Sequence, residues 1–402
     1  MSDPRDIVKH SGWIAADVPT EPVTLPAVLV EPPCGVKELM TENLVVNMGP
    51  QHPSTHGVLR LLLELDGEQI VRGEAVVGYL HRGIEKLAEH RRYNAVGTLM
   101  DRGDYVSGIM NELAFALAAE KVGEIEVPRR ASWLRVMMSE INRLASHLVW
   151  YGTMGLDAGA MGQFLYAVRD RENLLDILED VSGQRMMFNY VRPGGVVNDI
   201  TTTAEAKLRT FLKTIDGYME EHSALLGGNE IFQGRMRGVG IVTKEMAVAF
   251  GITGANLRAS GLSFDVRRDR PYAAYDEMHF DIPVASEGDC YARYLVRMEE
   301  MRQSIRIIRQ CLDGMPEGDH MGKIAKVFRP PAGEAYAAVE SPRGELGVYL
   351  VSDGTDSPYR MRYRPPALYA LQLGEAMLPG LLIADAVVSL GSLDFVLGEI
   401  DR

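Results

Sequence analysis

Apolar and polar residues alternate with two different periods along the chain, and the change of period predicts its architecture. Every second residue from Leu59 to Leu65 is leucine, which is the period of a β-strand with one apolar face. Asp66-Gly67 then predicts a hairpin turn, with Gln69 to Leu80 as the returning strand. The N-terminal part of the chain is therefore predicted to contain an antiparallel β-hairpin.

The period then becomes helical. Between Ser132 and Trp150, apolar residues recur at intervals of three and four, while Glu140, Arg143 and His147 share a second face. A second helix is predicted from about residue 162 to 181. These two segments predict the first half of a helical bundle.

Two further helices complete the predicted bundle. Thr202 and Glu205 form a capping-box pattern before the third helix. The fourth runs from Tyr291 to about Leu312, with an apolar face expected to point inward and arginines expected to point largely outward. The inward set is Tyr291, Leu295, Met298, Ile305, Ile308 and Leu312, and the arginines are Arg293, Arg297, Arg302, Arg306 and Arg309.

Strand-like patterns return after Pro330. Gly344 to Ser352 and Tyr359 to Tyr363 are predicted strands, separated by a turn at Asp353-Gly354. The fold class is therefore predicted to be α+β, with a central bundle of long helices flanked by N-terminal and C-terminal antiparallel β elements. The predicted divisions are an extended proline-rich arm (1–40), a β-hairpin region (41–82), a helical bundle (83–330) with an irregular insertion (227–285), and a C-terminal β-containing region (331–402).

Composition narrows the function classes. A formal charge of −13 and a pI near 5.3 argue against nucleic-acid binding, which needs a basic surface. We expect no membrane-spanning helix and no secretion signal, so membrane association would come through partner proteins. Cys34, Cys290 and Cys311 are far apart in sequence, which predicts buried thiols in a reducing compartment and no cysteine-ligated metal site.

The stretch NMGPQHPSTHG, residues 47–57, is the first candidate for chemistry. His52 and His56 are four residues apart, but Pro53 and Gly57 make a helical metal-binding pair improbable. The two histidines could bind a metal, could hydrogen bond the loop, or could act as proton donors near neutral pH. The residues alone leave these alternatives open.

Other candidate segments are weaker when taken singly. Arg82 and Glu85 in HRGIEK would ordinarily form only a surface ion pair, and Asp104-Tyr105 in MDRGDYVS is unremarkable by itself. The sequence contains no GxGxxG fingerprint, P-loop or GxSxG motif. Binding of a dinucleotide or triphosphate and serine hydrolase chemistry are therefore not indicated.

Six motifs taken together resemble one family. In chain order they are NMGPQHPSTHGVLRLLLELDGE, GYLHRGIEKLAEHR, EINRLASHLVWYGTMGLDAGAM, GQRMMFNYVRPGGV, GITGANLRASG and RGELGVYLVSDG. This order resembles the D-type subunit, also called the 49-kDa-type subunit, of the proton-pumping NADH:quinone oxidoreductase known as respiratory complex I. The resemblance covers about residues 41 to 402.

The resemblance implies a quinone site at the interface with the small iron-sulfur subunit of B type, whose four-iron four-sulfur cluster delivers electrons. It implies that this chain binds no cofactor of its own and takes quinone as substrate. By resemblance, His56 and Tyr105 are the hydrogen-bond and proton donors to the quinone, and Asp157 pairs with His56. His52 and Val396 would line the pocket, while Arg82, Glu85, Arg102 and Asp104 would be structural or close to the cluster.

The same family resembles the large subunit of nickel-iron hydrogenases, which implies the corresponding fold. The hydrogenase pattern RGxE is kept at Arg82 to Glu85. The four positions of the nickel thiolates are occupied by Asp104, Ser107, Val396 and Glu399. Since no soft ligand remains at these positions, we do not expect nickel to bind.

The sequence leaves more than one functional interpretation open. The resemblance implies an NADH:quinone oxidoreductase component that couples quinone reduction to proton translocation. Its partners would be the B, C, H and I subunits of the complex, and it would lie peripherally at the cytoplasmic face of a bacterial plasma membrane. The chain could instead be mainly a scaffold that docks the iron-sulfur subunits of a related complex with another electron donor. A nickel-dependent hydrogenase is opposed by the missing cysteines.

Overall fold

The computed structural model describes residues 43–52 and 57–402, all of which belong to one compact unit, Asn43–Arg402. The extended arm expected at residues 1–40, Cys34 and His56 lie outside the described residues. The described part contains three small antiparallel sheets and many helices, which confirms the α+β fold class.

The N-terminal sheet has three antiparallel strands in sequence order: β1 (Leu44–Met48), β2 (Arg60–Asp66) and β3 (Gln69–Val76). Leu61, Leu63 and Leu65 on the central strand are buried, as the leucine alternation predicts. Asp66 pairs with Gln69, so the turn is centred on Gly67 and Glu68, one residue later than predicted. Gly67 has a φ of +62°, a left-handed conformation that glycine adopts without strain.

The helices before residue 230 are α1 (Ile84–Glu89), α2 (Tyr93–Met100), α3 (Gly108–Gly123), α4 (Arg129–Asp157), α5 (Met161–Ser182) and α6 (Thr202–His222). A π-helical turn at Ser223–Gly227 extends α6, and a two-stranded ribbon, β4 (Val191–Arg192) with β5 (Gly195–Val196), precedes it. The helices α7 (Glu230–Met236), α8 (Lys244–Ala249), α9 (Gly254–Ala259) and α10 (Val266–Asp269) occupy the segment expected to be irregular. The long helix α11 (Cys290–Gly314) closes the bundle.

The C-terminal part contains a second three-stranded sheet and three helices. Its strands are β6 (Gly333–Ser341), β7 (Gly344–Ser352) and β8 (Arg360–Arg364), and its helices are α12 (Pro366–Met377), α13 (Ile383–Ser392) and α14 (Leu397–Asp401). The strand β7 has the bounds that the sequence predicts, whereas β6 was not predicted. No described helix is both long enough and apolar enough to span a bilayer.

The helix α4 is the centre of the bundle and packs against α3, α5, α11 and α13. Its predicted second face is also buried, since Glu140, Arg143 and His147 are fully inaccessible to solvent. Glu140 accepts hydrogen bonds from Arg143, Tyr275 and Ser304, so these charged groups are paired inside the protein.

Three details of the helix predictions are wrong. Arg293 and Arg297 on α11 are fully buried, not outward, because α11 is covered by α4 on one side and by α9 and α13 on another. Their guanidinium groups donate to backbone carbonyls such as Gly240 and Ser392. Leu295, expected inward, is 45% exposed. The N-cap of α6 is Thr201, whose hydroxyl accepts from the Ala204 amide, so Thr202 is the first helical residue.

Candidate functional site

The segment between α2 and α3 carries Tyr105. Asp104 Oδ1 accepts hydrogen bonds from the amides of Val106 at 3.1 Å and Ser107 at 3.3 Å, and Asp104 Oδ2 accepts one from the Ser107 hydroxyl. An aspartate that bonds the backbone two and three residues later fixes a tight turn. This turn holds Tyr105, which is half-buried, at its centre.

The start of α14 lies directly against this turn. A Cβ atom added to Gly398 would be 2.8 Å from the Gly103 carbonyl oxygen and 3.2 Å from Cε1 of Tyr105. Glycine is therefore required here, since no side chain fits between the two segments. Arg82 fastens the contact, because its Nη2 donates to the carbonyl of Arg102 and, at 3.2 Å, to that of Gly398.

The predicted quinone-binding loop meets the same helix. His52 and Gly57 form an isolated antiparallel bridge that closes the connection between β1 and β2. A Cβ atom on Gly57, which has a φ of +133°, would be 3.2 Å from Cδ1 of Leu397. Gly57 and Tyr105 therefore both lie against the Val396–Glu399 segment.

Arg343, at the turn between β6 and β7, joins three segments below Tyr105. Its Nη1 donates to Asp104 Oδ2 at 2.7 Å and to the Ser146 hydroxyl at 3.0 Å, and its Nη2 donates to Asp394 Oδ1 at 3.1 Å. All four side chains are buried. Burial opposes the charge on Arg343, but the carboxylates of Asp104 and Asp394 outweigh it and raise its pKa.

Two acids in this region have raised pKa values. Burial, and secondarily the charge of Asp104, raises the pKa of Tyr105 above its usual value. Burial, again followed by the charge of Asp104, raises the pKa of Glu399 well above that of an ordinary carboxyl. Within the described residues, the hydroxyl of Tyr105 forms no side-chain hydrogen bond. Tyr105 is thus a protonated donor whose hydroxyl no described side chain engages.

The remaining predicted residues stabilise the surroundings. Glu85 does not pair with Arg82; it accepts hydrogen bonds from the Arg362 guanidinium at 3.2 Å and from the Tyr363 amide at 3.0 Å. Arg102 donates to the carbonyl of Thr98 at the end of α2. The predicted Arg82–Glu85 pair is replaced because α1 packs against β8.

Asp157 is the last residue of α4, and Arg235 Nη1 donates to its carbonyl at 3.2 Å. The predicted pairing of Asp157 with His56 involves a residue outside the described part of the chain.

Arg343 was not among the site residues predicted from the sequence. The only signal was an arginine at a tight turn between two apolar strands, within a motif that was identified for its resemblance alone. Glu399 was identified as a replaced thiolate position, but its pKa is raised first by burial and then by the charge of Asp104, which is 295 residues earlier in the chain (399 minus 104).

Comparisons with known proteins show the family of this chain. Residues 157–328 and 319–402 match the family described as "Respiratory-chain NADH dehydrogenase, 49 Kd subunit". The chain is 49% identical over 364 residues to one of the D-type subunits of NADH-quinone oxidoreductase from Solibacter usitatus, covering 90% of this chain and 98% of that protein. It is 48% identical over 366 residues to the D-type subunit from Clostridium beijerinckii, covering 91% and 99%. The D-type subunit from Geotalea uraniireducens is 49% identical over 387 residues, covering 90% and 99%.

The fold and these relatives define a component of a respiratory oxidoreductase. The chain belongs to the family of the 49-kDa subunit of respiratory-chain NADH dehydrogenase, and it is one subunit of the NADH:quinone oxidoreductase complex.

Proposed function

We propose that this chain forms the quinone-reduction site of the complex together with the adjacent B-type iron-sulfur subunit. The observation that carries the proposal is that Gly57 and Tyr105 both lie against the Val396–Glu399 segment. In this proposal His52 and Val396 line the pocket. The chain holds no redox cofactor of its own, and the quinone receives electrons from the four-iron four-sulfur cluster of the iron-sulfur subunit.

The proposed chemistry follows from the needs of the substrate. A quinone takes up two electrons and two protons to become a quinol, and each electron makes its carbonyl oxygens more basic. Tyr105 supplies one proton and His56 the other, and their hydrogen bonds stabilise the negative charge that develops on the oxygens. A phenol with a raised pKa does not protonate a neutral carbonyl but can protonate a reduced one.

The remaining predicted residues have supporting roles in this proposal. Asp157 pairs with His56, and the charge left by proton transfer passes through it towards the membrane arm, where it drives proton translocation. Arg82, Glu85, Arg102 and Asp104 hold the loop close to the cluster. The B, C, H and I subunits are the partners, and they attach the chain to the cytoplasmic face of the plasma membrane.

The substitution Tyr105→Phe in the assembled complex tests the catalytic role. It removes only the donor atom, so we expect normal assembly and a loss of at least about a hundredfold in inhibitor-sensitive quinone reduction, within the range for removal of a general acid. Tyr359→Phe is the matched control, because Tyr359 is 67% exposed. Its contact with the sheet is a hydrogen bond from its backbone amide to the Val351 carbonyl, which the substitution keeps. An assembled Tyr105→Phe complex with unchanged activity would contradict the proposal and leave the scaffold role.

A further inference from the structure

Two buried carboxyl groups flank the loop that carries Tyr105. Asp101 follows the last residue of α2, and Glu112 lies one turn into α3. Both side chains are fully inaccessible to solvent, and the carboxyl group of Asp101 lies close enough to that of Glu112 to raise its pKa. Two ionised carboxylates have no hydrogen to share, so a close buried pair is favoured only when one proton lies between them.

The backbone contacts show where that proton lies. The amide of Asn189 donates to Asp101 Oδ2 at 2.9 Å, and the amides of Tyr190 and Val191 donate to Glu112 Oε2 at 2.7 and 2.6 Å. Asp101 Oδ1 and Glu112 Oε1 are buried and have no hydrogen-bond partner among the described residues. We place the shared proton between these two oxygens.

The charged surroundings favour retention of one proton. Arg102 is the cation that acts on Asp101, and it only partly offsets burial. The phenol of Tyr190 faces Glu112 and is neutral, since burial raises its pKa. Burial is the largest cause that raises the pKa of both carboxyl groups, and the proximity of Asp101 raises that of Glu112 further. The two carboxyl groups titrate as a unit, and burial favours the state that retains one proton.

We propose that Asp101 and Glu112 are positioning residues whose shared proton holds the two ends of the Arg102–Ser107 loop together and so keeps Tyr105 in place for the quinone. This inference rests on the function proposed above for Tyr105. Loss of the proton leaves two carboxylates in contact inside the protein, where they repel each other and separate the end of α2 from α3.

Gly108 provides an independent geometric sign of this contact. A Cβ atom at Gly108 would lie 2.9 Å from Asp101 Oδ1, the oxygen that faces the shared proton. The first residue of α3 is therefore free of a side chain at the point where Asp101 approaches the helix. Gly108→Ala is expected to displace Asp101 and weaken the pair.

Amide substitutions in the assembled complex provide the test. In Asp101→Asn or Glu112→Gln, the amide oxygen still accepts from the backbone and the NH2 group donates to the remaining carboxylate, so the hydrogen bond no longer depends on pH. Each single variant should retain activity within about twofold at pH 7, and its activity should fall less than that of the unmodified complex as the pH rises.

The double variant Asp101→Asn with Glu112→Gln has the opposite expectation. With both amide oxygens facing the backbone, two NH2 groups meet without an acceptor, and turning either amide places an NH2 group against a backbone N–H. We expect a loss of at least about tenfold in quinone reduction, well beyond the product of the two single effects. Single variants as impaired as the double, or a double variant as active as the unmodified complex, would overturn the proposal.

Infrared spectroscopy separates this proposal from the role of Tyr105. The unmodified complex should show the carbonyl stretching band of a protonated carboxylic acid that disappears in Glu112→Gln and persists in Tyr359→Phe. Absence of that difference overturns the shared proton whatever Tyr105 does. Unchanged activity in Tyr105→Phe overturns the proposed function, while the infrared result still decides whether the pair shares a proton.

Discussion

Arg343 donates a hydrogen bond from Nη1 to Asp104 Oδ2 at 2.7 Å, joining the turn between β6 and β7 to the turn that holds Tyr105. Both side chains are buried, so water does not solvate either charge. The same guanidinium reaches Asp394, close to the start of α14. One arginine therefore ties the turn that holds Tyr105 to the segment that leads into α14, where Gly398 packs against that turn.

Removal of this arginine is expected to be severe. Arg343→Met removes the guanidinium that pairs with Asp104 and Asp394, although Asp394 keeps Arg297 at 3.9 Å. We expect a loss of about 3–5 kcal/mol in the free energy of unfolding. Arg306→Ala is the matched control, since Arg306 pairs with Asp281 on the surface and should cost no more than about 1 kcal/mol. Thermal unfolding of the two variants measures the difference. Equal stability would show that Arg343 is not the main tie between these segments.

A methyl group at Gly398 tests the packing against Tyr105. Gly398→Ala places a Cβ 2.8 Å from the Gly103 carbonyl, so the Tyr105 turn must shift. We expect at least about a tenfold loss of quinone reduction with little change in assembly. Gly217→Ala, on α6 with no atom within 4 Å of the added Cβ, should instead be neutral or stabilise by about 0.5–1 kcal/mol. If Gly398→Ala is fully active, close approach of α14 does not position Tyr105.

The pH dependence of stability tests the protonation of Glu399. Because its pKa in the folded state lies above that in the unfolded state, its contribution to stability is present at low pH and is lost as the pH rises through the folded pKa. Glu399→Gln mimics the neutral form and should remove part of the alkaline decline while leaving stability near pH 5 unchanged. Unfolding midpoints measured from pH 5 to pH 9 give the comparison. A variant that declines in parallel with the unmodified protein would show that Glu399 is not the titrating group.

Glu300, in the core of the bundle, has a lowered pKa and therefore predicts the opposite pH dependence of stability. Burial opposes its ionisation, but Arg258 and His147 outweigh this and hold its pKa well below the usual value. Its stabilising contribution is therefore present above about pH 4.5 and is lost as the pH falls through the folded pKa. Glu300→Gln leaves Arg258 with one fewer buried carboxylate and should cost about 3–5 kcal/mol at pH 7.

Acid unfolding provides the measurement for Glu300. The destabilisation caused by Glu300→Gln should shrink as the pH falls, because the unmodified protein then loses the same interaction. Glu299→Gln, one residue away on the exposed face of α11, is the control and should change stability by no more than about 1 kcal/mol. An equal effect of both substitutions would contradict the role of the buried pair.

Local sequence patterns predicted the elements that have one apolar face. The leucines of β2, the limits of α5 and the strand β7 follow from periodicity alone. The helix α3 was not predicted, because it is buried on nearly all sides and its sequence GIMNELAFALAAEKVG has no continuous polar face. Periodicity detects contrast between two faces, and α3 offers little.

The chemistry of the site was harder to predict from the sequence. Tyr105 could be identified only by resemblance, since Asp104-Tyr105 is ordinary as a dipeptide. The burial of Arg293 and Arg297 depends on partners about 50 to 100 residues away, such as Gly240 and Ser392, so the i, i+4 spacing of the arginines could not reveal it. The Asp101–Glu112 pair could not be predicted for the same reason, because these carboxyl groups accept hydrogen bonds from the distant backbone amides of residues 189–191.

The contact between Gly57 and Leu397 also has a consequence for biosynthesis. The ribosome adds Leu397 340 residues after Gly57 (397 minus 57), when the sheet, the bundle and the buried ion pairs of the intervening chain already have all their residues. A nascent chain that stops short of α14 can therefore form much of its core without this contact. We expect the proposed site to be completed late in synthesis, after most of the buried core has its residues.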